Sequence, residues 1–163
     1  MKQSHSTIGK TAPLLSWDVY ALQQYSATHA LKEDVRQLEM LARLGGWVHS
    51  WNFTQKVVQE RKTILVTSLN QQILFASSSL FAMTGYLPQE VLGKSPKIFQ
   101  GPETSPESKA LIRSALQAQQ PFAALLTNYQ KGGSAYTCQV EGFPVVDHRG
   151  ALVNYIAFEQ AVF

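Results

Sequence analysis

Residues 63–101 read TILVTSLNQQILFASSSLFAMTGYLPQEVLGKSPKIFQG. Two short apolar runs open the stretch, Thr63–Ser68 and Ile73–Ala76, and they flank the link Leu69-Asn70-Gln71-Gln72. Runs of β-branched and aromatic residues around so short a link read as a hairpin, although the link lacks the glycine such turns favour. From Ser77 to Gly93 the period changes. Phe81, Met83, Tyr86, Val91 and Leu92 are apolar, with Gly85 and Pro88 as breaks, so short helical turns are expected.

Downstream, Ser105-Pro106-Glu107 combines a capping serine, a proline in the first turn and an acid near the helix start. It opens a helix with an expected buried side of Leu111, Ile112, Ala115 and Leu116, stopped before Pro121. Three strands close the chain. Phe122–Gln130 joins Ser134–Val146 through Lys131-Gly132-Gly133, and Asp147–Gly150 turns into Ala151–Val162. The order is two strands, a helical middle, then an antiparallel meander.

Upstream the period is helical. Ser16 is the expected cap of a first helix carrying Val19, Leu22 and Tyr25, after Pro13-Leu14-Leu15. A second helix is expected over Thr28–Leu44, with Leu31, Val35, Leu38 and Ala42 as its stripe, widened by Leu41; Lys32, Glu33, Arg36 and Glu39 lie off it. Gly45-Gly46 supplies the stop. Within residues 47–61 either Ser50 caps a short helix holding Trp51, Val57 and Val58, which is the expectation, or Lys56–Gln59 is extended.

The chain has 163 residues, of which 45% are hydrophobic and 15% charged, against roughly a quarter charged in an average domain. That balance supports a real core and excludes a disordered chain. The net charge of +3 is not concentrated, since no basic run exceeds Arg61-Lys62, so nucleic acid is not an expected partner. One cysteine, Cys138, excludes an internal disulfide framework and a multi-cysteine zinc site. No stretch approaches 18 consecutive apolar residues, and Met1–Lys10 has no apolar signal region. His5, His29, His49 and His148 are scattered. A cytoplasmic protein with no membrane partner is the expectation. No Ser/His/Asp or Cys/His arrangement, phosphate-binding glycine loop or metal spacing occurs, so the chain is not expected to be an enzyme.

Residues Thr63 to Phe163 resemble a PAS domain of the light-oxygen-voltage (LOV) subgroup. Gly85-Tyr86, Gly93, Phe99-Gln100-Gly101-Pro102-Glu103-Thr104, Ile112-Arg113 and Asn128-Tyr129 all fall in the family's order and spacing. The resemblance implies an α+β PAS fold: a five-stranded antiparallel sheet in order 2-1-5-4-3, helices cupping one face, and here an N-terminal helical extension. It implies two parts, an extension over residues 1–60 and the PAS domain over 61–163. It also implies that the cup holds flavin mononucleotide (FMN), which a cysteine of the Gly93–Gly101 segment would bind covalently in light. Pro96 stands at that cysteine's position, and a proline has no nucleophile.

Other positions match the implied flavin contacts in part. Gln100 and Asn128 correspond to groups that bond the ring system and its ribityl chain. Lys97 and Arg113 correspond to the two basic residues that hold the phosphate, with lysine losing the guanidinium fork. Ser95 replaces an asparagine, Cys138 replaces the asparagine facing the flavin edge, and Glu159 replaces a glutamine. A neutral Glu159 would donate to a flavin carbonyl; an ionised one only accepts.

Strand alternation puts Asn128 with Phe122, Ala124 and Leu126, Cys138 with Tyr136, Val140 and Gly142, and Glu159 with Tyr155, Ala157 and Ala161. Three polar or soft groups on apolar faces point to a pocket, while a one-residue slip would turn all three outward. The plainer readings make Cys138 a small buried hydrophobe, Asn128 a turn cap and Glu159 a strand-end carboxyl with water access. Haem is disfavoured because the helix from Ser105 to Gln120 has no histidine.

The expected function is a sensory and signalling module acting through occupancy of the cup or through association with a partner protein whose identity is open. A ligand-free dimerisation scaffold and a flavin-based redox sensor are the alternatives. The N-terminal stripe, with Trp17, Trp47 and Trp51, must be buried, either on its own sheet or in a homodimer through the helices or the sheet face.

Overall fold

The computed structural model describes the backbone of residues 16–162 and the side chains of 19–162. Five strands, β1 (Thr63–Thr67), β2 (Ile73–Ala76), β3 (Phe122–Tyr129), β4 (Ala135–Val146) and β5 (Leu152–Val162), form one antiparallel sheet in order β2-β1-β5-β4-β3. This is the α+β PAS architecture expected. The β4–β5 hairpin is its spine. Asp147 Oδ1 accepts the N–H groups of Arg149 and Ala151 at 2.9 Å each, closing the turn that sets the register Val140 to Glu159 and Phe143 to Ile156. The β1–β2 link manages without glycine because Gln71 takes the left-handed conformation, φ 59°, while Ser68 Oγ accepts the Gln72 N–H.

On the cup side lie α2 (Leu80–Thr84), α3 (Pro88–Val91), a 3₁₀ turn (Pro96–Phe99) and α4 (Pro106–Gln117). α2 ends where Gly85, φ 76°, returns its N–H to the Phe81 carbonyl, a conformation that side chains with a Cβ resist. Met83 and Val91 turn inward, whereas Phe81 and Leu92 are exposed. Ser105 caps α4 by accepting the Ser108 N–H, as its sequence signature predicts. The apolar side of α4 departs from expectation. Leu111 is exposed, and Ile112, Ala115 and Leu116 are only half-buried, because α4 stands across an open cavity instead of lying on the sheet.

The opposite face is covered by α1 (Ser16–Leu44), a single helix of 29 residues rather than the two expected. Nothing between Tyr25 and Thr28 breaks it, since Ser26 and Ala27 are neither proline nor glycine. α1 already begins at Ser16, and the side chains of Ser16 and Trp17, like residues 13–15, lie outside the described residues. Its C-terminal half buries Leu31 and Leu38 against Ile64, Val66, Phe75, Val145, Ile156 and Phe158, so the Thr28–Leu44 stripe packs on its own sheet. The N-terminal half leaves Val19, Tyr20, Leu22 and Tyr25 exposed.

Trp47 seals the end of this core, its indole N–H donating to Asn154 Oδ1 at 3.1 Å. The next segment forms a π-helical turn over Gln55–Gln59, and Asn52, not Ser50, accepts the Gln55 N–H. Asp34 of α1 reaches the rim of the cup, where its Oδ2 accepts both the N–H (2.9 Å) and the hydroxyl (2.6 Å) of Ser78.

Candidate functional site

Between α4, the 3₁₀ turn and the concave face of the sheet lies a cavity of about 200 Å³. The segment that roofs it is held by side chains of its own motif. Gln100 bridges backbone to backbone with Asn128 on β3. Thr104 Oγ1 accepts the Gly101 N–H and donates to the Thr127 carbonyl at 2.6 Å, while the Tyr129 hydroxyl accepts the Glu103 N–H. The Tyr129 ring lies so close over Gly101 that no side chain fits there. These contacts explain why Gln100–Thr104 and Asn128-Tyr129 travel together as motifs.

Seven of the eight residues singled out from sequence share the cavity wall: Ser95, Lys97, Gln100, Arg113, Asn128, Val140 and Glu159, together with Pro96. Cys138 does not reach the wall. It is fully buried in the apolar cluster behind it, with Sγ 3.8 Å from Glu159 Oε2. Burial, then the charge of Glu159, pushes its thiol well above the usual range, which makes it an inert buried group rather than a reactive one. Pattern reading missed Lys109, and it put Tyr155, Phe122 and Gly142 on the cup side without a role for them. Lys109 was legible from its four-residue spacing to Arg113. Phe122 lays its ring on Gly142, across from it in register, leaving no room for a side chain there. Tyr155 donates its hydroxyl to the Leu116 carbonyl at 2.8 Å and ties β5 to α4.

Glu159 is not at a wet strand end. It sits within the central strand, between Thr63 of β1 and Val140 of β4, and is buried. Burial raises its carboxyl to about 7, opposed only by the weak Cys138 contact. Asn128 does not cap a turn either. Its Oδ1 is buried without a hydrogen-bond partner, as is the hydroxyl of Tyr136 opposite it. Burial likewise raises the Tyr136 phenol.

The wall therefore combines cations, amides and a buried carboxyl whose pKa burial raises to about 7. The orphaned Asn128 carbonyl oxygen lacks a donor, which an imide N–H supplies. These residues fit a flat heterocycle with a polar edge and an acidic tail. Pro96 and Cys138 add nothing polar to that set.

A family model described as "PAS domain" matches residues 61–160. The chain belongs to the PAS family. Its relatives include phototropins, a twin LOV protein and blue-light-activated histidine kinases. Phototropin-2 of Oryza sativa is 34% identical over 90 residues, which cover 55% of this chain and 10% of that protein. A blue-light-activated histidine kinase of Brucella anthropi is 31% identical over 108 residues, 64% of this chain and 22% of the kinase. A light-oxygen-voltage domain solved in work on a flavin analogue superposes with a TM-score of 0.64 at 26% identity, covering 70% of this chain and 87% of that one. This PAS chain thus spans a tenth to about a fifth of the curated relatives it matches, and the part shared is a sensory domain. Among the described residues no helix is long and apolar enough to cross a membrane.

Proposed function

We propose that this chain is a cytoplasmic sensory PAS module whose cup takes FMN without a covalent bond and passes its occupancy to a partner protein. The observation that carries the reading is the buried, unpartnered Asn128 Oδ1 in the same cavity wall as buried Glu159. Lys97 and Arg113 would hold the phosphate, Ser95 and Gln100 the ribityl chain and ring, and Asn128 the imide edge. Glu159, raised by burial to about 7, would donate to a ring carbonyl in its neutral form. Phe99, Leu126 and Val140 exclude water. When bound, the flavin supplies blue absorption and reversible redox chemistry. With Pro96 at the reactive position, no thiol is there to attack it.

The route outward runs through β5. Glu159 faces the cup, and its neighbour Phe158 faces the core beneath α1, so a shift of this strand acts on both sides of the sheet. In this reading residues 1–60 are the transmitting extension and 61–163 the sensor. Because α1 covers the outer sheet face, the homodimer in this reading forms through the exposed N-terminal half of α1. Sedimentation then shows a dimer that Leu22→Glu converts to monomer; unchanged mass between the two removes this part of the reading.

The deciding experiment adds FMN to the purified chain and records its visible spectrum and fluorescence. Expected are quenched fluorescence and structured blue bands that do not bleach reversibly on illumination. Failure to take up either FMN or riboflavin overturns the flavin reading. A ligand-free scaffold is the second reading, favoured by the cavity volume of about 200 Å³, below the roughly 300 Å³ at which pockets for such ligands begin.

A further inference from the structure

Three cations line the cavity, and none is neutralised among the described residues. Lys97 belongs to the 3₁₀ turn, while Lys109 and Arg113 belong to α4. Among the described residues the ion pairs are Arg36–Glu33, Lys56–Glu60 and Lys131–Glu90, so these three have no carboxylate partner. The only acid in the wall is Glu159, buried in the sheet. Lys109 and Arg113 stand four residues apart and share one face of α4, a spacing at which like charges destabilise a helix. Two unpaired cations placed together against their own repulsion, on the wall of a cavity that a third also lines, make an anion subsite.

We propose that Lys109 is the third cation of a phosphate subsite, gripping the ligand's phosphate together with Arg113 and Lys97. No resemblance assigns this residue. Its role follows from the weakness of Lys97, whose ammonium is a point charge where a guanidinium would offer a two-pronged fork. Lys109 restores charge from a second direction, and its long stem lets the ammonium follow the phosphate. The inference rests on the flavin reading and deepens it by assigning specificity for a phosphorylated ligand.

FMN and riboflavin differ only in the phosphate, so their affinities for the purified chain, followed by flavin fluorescence, isolate the subsite. Lys109→Gln is expected to weaken FMN about five-fold, to leave riboflavin unchanged and to flatten the salt dependence of FMN binding. Lys109→Glu separates binding from structure. It places an acid four residues before Arg113, a pairing that supports the helix, so the melting temperature holds or rises while FMN affinity falls by about 20-fold or more. Equal losses for both flavins, or no loss for FMN, overturn the proposal. If wild type binds neither flavin, the flavin reading has failed and inorganic phosphate decides separately. Amide shifts at Lys109 and Arg113 on phosphate addition, seen by NMR, then keep the subsite for another phosphorylated ligand; their absence overturns it.

Discussion

The two faces of the sheet are built to different standards. The outer face meets α1 in an apolar core with an aromatic cluster: Trp51 lies 6.0–6.3 Å, centroid to centroid, from Phe53, Phe143 and Phe158, and edge-on to Trp47. The inner face carries a carboxyl, an amide oxygen without a partner and a cavity. Each of those features lowers stability in an isolated fold. Their collection on one face, opposite an apolar and aromatic core, is the signature of a site supported by stability gained elsewhere.

Three substitutions test this contrast. Phe158→Ala should cost most, about 4 kcal/mol, because the ring is 1% exposed in the outer core; urea unfolding measures it. A loss below about 1 kcal/mol would show that the outer face is looser than its packing implies.

Glu159 gives a pH-dependent loss. Its folded value of about 7 lies above the ordinary 4.5, so the fold favours the neutral acid. That contribution is full below 4.5 and disappears as pH rises through 7, a change of about 3 kcal/mol. Stability should fall across this window in wild type and stay flatter in Glu159→Gln. Equal slopes in the two proteins would place water beside the carboxyl.

The smallest effect has the opposite sign. Asn128→Leu removes an unsatisfied group from a buried position and should stabilise the ligand-free chain by about 1 kcal/mol while abolishing its response to added FMN. Destabilisation would mean that Asn128 has a partner when the cup is empty.

The strand periods, the Ser105-Pro106 helix start and the side on which Asn128, Cys138 and Glu159 stand were all legible, because alternation and capping are local. The burial of Glu159 was not. A carboxyl near a chain end reads as solvated unless pairing on both sides is known, and that pairing joins Glu159 to Thr63 and Val140. The stripe of α1 signalled burial without saying against what, since amphipathicity carries no address. Asn52 took the capping role assigned to Ser50, a shift of two residues that residue type alone does not decide.

The bond from Asp34 to Ser78 gives α1 a mechanical character. Desolvation raises the Asp34 carboxyl, and the two Ser78 donors oppose that rise. The bond pins the helix to the cup's rim within the same turns, Leu31 to Leu38, that seat it on the sheet. Fifteen residues run from this fulcrum, Asp34, to Val19, an arm of about 22 Å. A tilt of about 10° at the fulcrum would swing its tip by about 4 Å, enough to break or remake contacts with whatever surface receives Leu22 and Tyr25. A small adjustment around one buried aspartate would thus arrive, magnified, at the far end of a lever.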